Sequence, residues 1–309
     1  MTKIDEKVHI KPFLKWVGGK AKLVNTLDGL MRKLVNTDHR LVYVEPFVGG
    51  GAMLSHMLNT WSNLHGIVIN DKNERLVDCY RTIQGDMSYM LLEKKLKGLE
   101  NLYNKGNAKN VYLDIRNKFN QMSDAHIFED EEMAEQSAMF IFLNKTCFNG
   151  MYRVNRKGEY NVPWGTKETV SLFDKDNLKY WHIYLKNTAV EMFNGDYSVM
   201  GSIAFAPSYY PDLDVLYYLD PPYRPISLTS AFTSYTKDSF TDKDQEELKK
   251  FCDNVTSNPR VHIIESNSKS GRYFDELYHG YDIMEVAMRR NINCAGDKRG
   301  PVKEILIYK

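Results

Sequence analysis

Four short apolar runs in this chain each stop at an acidic residue, and that pattern constrains the fold more than any other. Residues 41–44 stop at Glu45, 66–69 at Asn70-Asp71, 188–193 at Asn194-Gly195-Asp196, and 215–219 at Asp220. Such runs read as buried strands. Helical patterning precedes the first run, over 20–33, and follows the next two, over 52–59 and 74–84. Strand–helix alternation is the mark of a doubly wound sheet. Open α/β sheets bind ligands outside the carboxyl ends of their strands, which is where these acids fall.

The alternation then breaks. Residues 87–99, 111–121 and 131–143 read as helices with charge on their exposed faces. Residues 144–165 are irregular and rich in Asn, Gly, Arg and aromatics, and 153–155 and 160–162 are spaced to pair around Lys157-Gly158. Alternation resumes with a helix expected over 241–254 and strands over 261–264, 283–286 and 304–308. The reading is one discontinuous α/β domain, residues 1–84 and 188–309, interrupted by a mainly helical insertion at 85–187.

Apolar residues make up 43% and charged residues 26% of the chain, an ordinary globular balance with no sign of disorder. No apolar run nears the roughly 20 residues needed to span a bilayer. The first eleven residues are polar and charged, without a signal-peptide core, so a cytoplasmic location is expected. Cys79, Cys147, Cys252 and Cys294 form no Cys-x-x-Cys pair. They read as buried free thiols rather than a zinc site or disulfide framework, and no metal is expected. The net charge is only +1, but its distribution is uneven. Lys145, Arg153, Arg156, Lys157 and Lys167 face Glu159 alone within 145–167, and five basic residues face Asp297 alone within 289–303. Two such clusters suit a phosphate-bearing partner, although charge runs are usually solvated faces.

Asp220-Pro221-Pro222-Tyr223 leaves the last of the four strands. Two prolines cannot donate backbone hydrogen bonds, so the turn is stiff and its carbonyl directions are fixed. A fixed acceptor pair beside a flat aromatic face suits the exocyclic amine of a planar base, stacked on Tyr223 and bonded through both its hydrogens. An ordinary turn is the bland alternative, because four residues alone are weak evidence.

Glu45-Pro46-Phe47-Val48-Gly49-Gly50-Gly51 leads from a strand into a helix, the usual place to hold a nucleotide-like ligand. It lacks the Gly-x-Gly-x-x-Gly spacing for a pyrophosphate, and Gly18-Gly19-Lys20 is followed by Ala21 where a phosphate loop needs Ser or Thr. Something smaller fits. Glu45 offers an acceptor for an amino group. Asp71 suits ribose hydroxyls, or equally a cap for the next helix. Asp196 suits an adenine amino group. The set describes an adenosine with an amino-acid tail and no phosphates, as in S-adenosylmethionine. Trp16 and Phe47 are platforms for it or simply core.

Taken with Lys11-Pro12-Phe13-Leu14-Lys15-Trp16-Val17-Gly18-Gly19-Lys20, Asn149-Gly150-Met151-Tyr152-Arg153-Val154-Asn155 and Asn161-Val162-Pro163, these motifs resemble the Dam-type DNA adenine-N6 methyltransferases over nearly the whole chain. The resemblance implies a Rossmann-like methyltransferase sheet with an inserted target-recognition domain, S-adenosylmethionine as cofactor and double-stranded DNA as substrate. It places Trp16, Lys20, Asp71 and Asp220 at the cofactor and reaction site, with Phe47, Asp196 and the glycine loop around Gly49 completing the pocket. It assigns DNA reading to the segment 148–163, which includes Asn155, and methylation to the adenine of GATC. Lys15 and Arg153 match residues that contact guanines, and Met151 and Pro163 match those that contact the thymine methyl. Phe148 matches an aromatic wedge beside the target base, supported by Asn149. Arginine bonded bidentately to guanine is worth roughly 1–3 kcal/mol of discrimination. The bland alternatives are a surface ion pair for Arg153 and core packing for Phe148.

Glu265 departs from the pattern, standing where an apolar or small residue is expected at a strand end. The Ser- and Thr-rich loop 224–240, with Lys237, is expected to meet phosphates. A monomer is expected, and a cognate restriction nuclease is an open partner. Competing readings are a cytosine-N4 or RNA methyltransferase, a DNA-binding module without catalysis, and a nucleotide-dependent oxidoreductase.

Overall fold

A computed structural model describes residues 8–16, 18, 20, 23–122, 129–224, 240–289 and 301–309. The strands are β1 (Arg40–Glu45), β2 (Leu64–Asp71), β3 (Val190–Asn194), β4 (Leu213–Leu219), β5 (Val261–Ser268), β6 (Asp282–Arg289) and β7 (Pro301–Tyr308). They form one sheet in the order β3-β2-β1-β4-β5-β7-β6. The first five run parallel, and β7 is antiparallel between β5 and β6. The expected Rossmann-like sheet is therefore present, and its strand order reverses between β1 and β4. That switch point opens a crevice at the carboxyl ends of the strands. In register, Glu45 lies opposite Ile69 and Asp71 opposite Asn194, so the acids gather on one edge.

Every residue of β4 is buried. Leu216 and Tyr218 enter one core, while Val215, Tyr217 and Leu219 enter the other, as the two-residue period of a strand requires. The second core is covered by α9 (Asp242–Val255), the short α10 (Tyr273–Leu277) and a 3₁₀ segment, Tyr197–Phe205, followed by α8 (Ala206–Tyr209). The first core is covered by α1 (Val24–Leu34), α2 (Ala52–Thr60) and α3 (Glu74–Gln84). It continues without a break into α4 (Asp86–Lys105), α5 (Ala108–Gln121), α6 (Asp130–Thr146) and α7 (Lys175–Asn187). Residues 137–144 of α6 are all buried, so this helix is the axis on which α3, α4 and α5 pack.

Several elements differ from the sequence expectation. The first helix begins at Val24, and α4 runs on to Lys105. α7 was not anticipated, although Asp174 caps it by accepting from the Asn177 N–H and Leu178, Trp181 and Leu185 form its buried stripe. The expected hairpin is a single bridge, Val154 to Tyr160. β5 does not stop at 264. It continues through the buried polar residues Ser266, Asn267 and Ser268 because each pairs with β7. Glu265 therefore lies inside a strand rather than at its end. Cys79, Cys147 and Cys252 are buried free thiols, and Cys294 lies outside the described residues. No helix among the described residues is long and apolar enough to cross a membrane.

Candidate active site

Asp220 follows the last residue of β4 directly, so its carboxyl opens at the switch point. The Lys20 ammonium lies 2.9 Å from Asp220 Oδ1, with side-chain exposures of 6% and 23%, and so is the more deeply enclosed partner. Lys20 also donates to the Gly18 carbonyl at 2.9 Å and stands 4.7 Å from the centre of the Tyr223 ring. Tyr223 in turn donates its hydroxyl to Glu304 Oε2 on β7 at 3.0 Å. Pro221 is buried and Pro222 exposed between them. An acid, a cation and an aromatic face thus share one corner. Burial raises the Asp220 pKa above the ordinary carboxylate value, and the Lys20 charge pulls against that rise.

Glu45 and Asp71 stand beside this corner. Glu45 is buried, and it accepts from the Tyr43 hydroxyl at 3.0 Å and from the Leu54 N–H. Burial holds its pKa well above the usual range, and the charges of Asp220 and Asp71 add to the rise. Asp71 accepts from the Gly49 N–H at 3.0 Å and from the Asn73 N–H at 2.9 Å, and burial lifts its pKa to about 6. The cap of α3 is Asn73, not Asp71. Asp71 instead pins the glycine loop to the end of β2. Gly49 and Gly51 have φ of 48° and 71°, and a Cβ on Gly50 would stand 2.6 Å from the Trp16 Cβ, so only glycine lets Trp16 lie over the loop. Tyr80 donates to the Gly49 carbonyl at 2.9 Å from below. Phe47 is half-buried against Tyr197, with ring centres 5.5 Å apart. Asp196 is exposed and caps the 3₁₀ segment through the Ser198 N–H.

Three carboxylates whose ionised forms burial disfavours, with the charges of Asp220 and Asp71 further opposing ionisation of Glu45, make a site suited to a cation. The buried Asn70 side chain donates to the Pro46 and Gly195 carbonyls, yet its Oδ1 has no partner. An orphaned acceptor beside a glycine cradle fits a ligand with hydroxyl or amino donors. The residues present therefore fit a ligand rich in hydroxyl and amino donors, as S-adenosylmethionine is.

The segment expected to read DNA begins where α6 ends. Asn144 is buried and reaches two ways. Its Oδ1 accepts from the Lys15 N–H at 2.8 Å, and its Nδ2 donates to the carbonyls of Lys15 at 2.7 Å and Gly150 at 3.2 Å. Phe148 is 49% exposed, and Asn149 next to it adopts φ of 56°. The Phe148 N–H donates to the carbonyl of the exposed Pro163 at 2.9 Å. Lys15, Phe148, Asn149, Gly150 and Lys167 line one cavity of about 310 Å³. Lys167 beside it, and then burial, bring the Lys15 ammonium down to about 8. Lys145 is also lowered, by burial and then by Lys167. Crowded ammonium groups of this kind favour an anionic or acceptor-rich ligand. Arg153 is exposed and donates to Asn161 Oδ1 at 2.7 Å and to the Asn161 carbonyl at 3.1 Å, so among the described residues its guanidinium is held by a neighbouring amide rather than by an ion pair. Met151 is half-buried, and its carbonyl accepts from the Tyr160 hydroxyl at 3.2 Å. Asn155 is spent on its own turn, accepting from the Lys157 and Glu159 N–H groups and donating to the Glu159 carboxyl.

Residues 16–292 match the profile of the D12 class N6 adenine-specific DNA methyltransferases. The chain belongs to that family. The methyltransferase is 38% identical over 304 residues to the type II methyltransferase M.MjaIII of Methanocaldococcus jannaschii, covering 97% of this chain and 99% of that one. It is 33% identical to the type II methyltransferase M1.LlaDCHI of Lactococcus lactis, covering 97% and 96% of the two chains. It is 32% identical to the DNA adenine methylase of Vibrio cholerae, covering 96% and 95%. A solved structure of the rRNA methyltransferase aviRa from Streptomyces viridochromogenes is 10% identical at a TM-score of 0.42, covering 100% and 94%, a likeness too remote to inform the site. The reaction of the methyltransferase is methyl transfer to N6 of adenine in DNA.

Two parts of this methyltransferase site escaped the sequence reading. Glu304 holds the Tyr223 hydroxyl from a strand 81 residues away, and Asn144 bonds Lys15, 129 residues away, together with nearby Gly150. Neither has a local motif. Lys237 and residues 290–300 of the second basic cluster lie outside the described residues.

Proposed function

We propose that this methyltransferase takes its methyl group from S-adenosylmethionine and places it on N6 of an adenine flipped out of duplex GATC. The observation that carries the reading is the Asp220, Lys20 and Tyr223 corner beside the glycine loop. A base inside a duplex is out of reach, so it must swing into the pocket. Phe148, half-exposed on the recognition segment, fills the gap it leaves. Tyr223 stacks the extruded ring. The Asp220 carboxyl and the Pro221 carbonyl accept the two N6 hydrogens, which draws the nitrogen lone pair out of conjugation and aims it. S-adenosylmethionine supplies an electrophilic methyl on a sulfonium. With that methyl in reach of N6, the surplus N6 proton would pass to Asp220, whose raised pKa suits it to take one. Positioning and fixed charges supply most of the rate.

Trp16, Phe47, Gly49, Asp71 and Asp196 are proposed to hold the cofactor, with Glu45 and Lys20 tuning the charge around it. Residues 85–187 act as the target-recognition unit. Lys15 and Arg153 read guanines, Met151 and Pro163 meet thymine methyls, and Asn149 and Asn155 shape the reading segment. The names of the relatives support a restriction nuclease as a functional companion.

Modified-base sequencing of DNA from a host lacking adenine methylation, after expression of this chain, tests the reading. The expected product is N6-methyladenine confined to GATC. Methylated cytosine, or methyladenine spread over unrelated contexts, would sink it. Asp220→Ala should abolish turnover in a folded protein.

A further inference from the structure

Glu265 is fully buried in β5, where β4 presents Leu219 beside it and β7 presents Ile307. An apolar residue would satisfy both neighbours, and burying a carboxylate is costly unless it is bonded. Its Oε2 accepts from the Tyr278 hydroxyl, and its Oε1 accepts from Asn267 Nδ2 at 3.0 Å. The same Nδ2 reaches Gln245 Oε1 at 3.3 Å, and Gln245 Nε2 reaches the Pro222 carbonyl at 3.4 Å. With its amide nitrogen facing Glu265, Asn267 turns its oxygen the other way. That oxygen accepts from the Ser268 N–H at 2.9 Å and from the Arg224 N–H at 3.3 Å. Ser268 completes the clamp by donating to the Arg224 carbonyl at 2.8 Å. Residue 224 follows Tyr223, so the clamp sits directly behind the aromatic face.

An asparagine amide can flip, and a flipped Asn267 would set its donor against the Arg224 N–H. An ionised carboxylate only accepts, so it admits one orientation. We propose that Glu265 is a positioning residue for the target-base corner: it fixes the Asn267 amide, which with Ser268 holds the backbone behind Tyr223. This role rests on the proposed use of Tyr223 to stack adenine. Burial lifts the Glu265 pKa to about 7, the Tyr278 and Asn267 bonds draw it back, and the Asp220 charge adds to the rise. Tyr278, Tyr273 and Cys252 are the other titratable groups within its field, and burial pushes all three up, so they stay neutral near pH 7. The remaining titratable neighbour is Asp220, whose pKa burial also raises.

Single-turnover methylation of an unmethylated GATC duplex by the full chain, with saturating cofactor, tests the proposal at pH 6 and pH 8. Glu265→Gln keeps the shape and removes the titration. It should be roughly fivefold slower than wild type at pH 8, as a neutral bond replaces a charge-assisted one, and should converge with wild type at pH 6. The cofactor KM should stay within about twofold, because the clamp touches Tyr223 and not the glycine loop. Equal rates at both pH values, or equal loss at both, would show a dispensable or merely structural glutamate and overturn the role, as would any other pattern. Asp220→Ala run alongside separates the two readings. If it retains turnover, the corner itself is misassigned. If it is inactive while Glu265→Gln behaves as wild type, only the positioning role fails.

Discussion

Lys20 serves two neighbours at once, an acid 2.9 Å away and an aromatic ring 4.7 Å away, and both contacts bear on activity. Burial raises the Asp220 pKa, and Lys20 is the first force opposing that rise. Removing the charge in Lys20→Met leaves the carboxyl protonated to higher pH. Methylation should therefore fall at pH 6 relative to pH 8, compared with wild type. An unchanged ratio of the two rates would mean that the ion pair does not set the acidity. Gly50→Ala tests the other side of the pocket. Its Cβ would stand 2.6 Å from the Trp16 Cβ, so Trp16 must leave the glycine loop. Calorimetric titration should show cofactor affinity reduced about tenfold, equivalent to 1.4 kcal/mol; unchanged affinity would remove Trp16 from the pocket. At this scale the sequence was informative. Asp220, Glu45 and Asp71 were legible as strand-end residues, because backbone alternation fixes where such residues emerge, and Tyr223 was legible from the proline turn that follows Asp220. Glu304 was not, since only pairing across β7 brings it to Tyr223.

Among the elements, α7 supports the pocket from beneath. Trp181 packs against Phe13 and Tyr80 at ring separations of 5.6 and 6.0 Å, and Tyr80 holds the Gly49 carbonyl. Asp174 caps this helix, so Asp174→Ala should cost about 0.5–2 kcal/mol, read as a lowered denaturation midpoint. A shift within error would mean that solvent replaces the cap. α7 was missed because charged and aromatic residues interrupt its short apolar stripe, and its signal becomes clear only with its cap. The end of β5 was missed for the opposite reason. Ser266, Asn267 and Ser268 look like a turn, yet they are buried because β7 pairs with them and they bond the residues behind Tyr223. α9 was nearly right, because Thr241 and Asp244 form a capping box that can be read locally.

Across the whole molecule, a net charge of +1 hides a cluster of lysines beside the segment proposed to read DNA. Lys145 and Lys167 crowd Lys15, and DNA phosphates would relieve that repulsion. Duplex affinity should therefore fall steeply with salt. Lys145→Ala and Lys167→Ala should each flatten the slope of log K against log salt by about 1. An unaltered slope would place these lysines away from the phosphates. The uneven charge was legible in the sequence, but the single core joining the sheet to α4, α5 and α6 was not, since it arises only when α6 is buried on every side. That continuity has a practical edge for anyone building hybrid enzymes from this family. One amide at Asn144 is bonded both to the stretch that carries Trp16 and to the stretch that carries Phe148. A graft of a foreign reading loop spliced between 144 and 150 would sever that joint, whereas one spliced after 151 would inherit it intact.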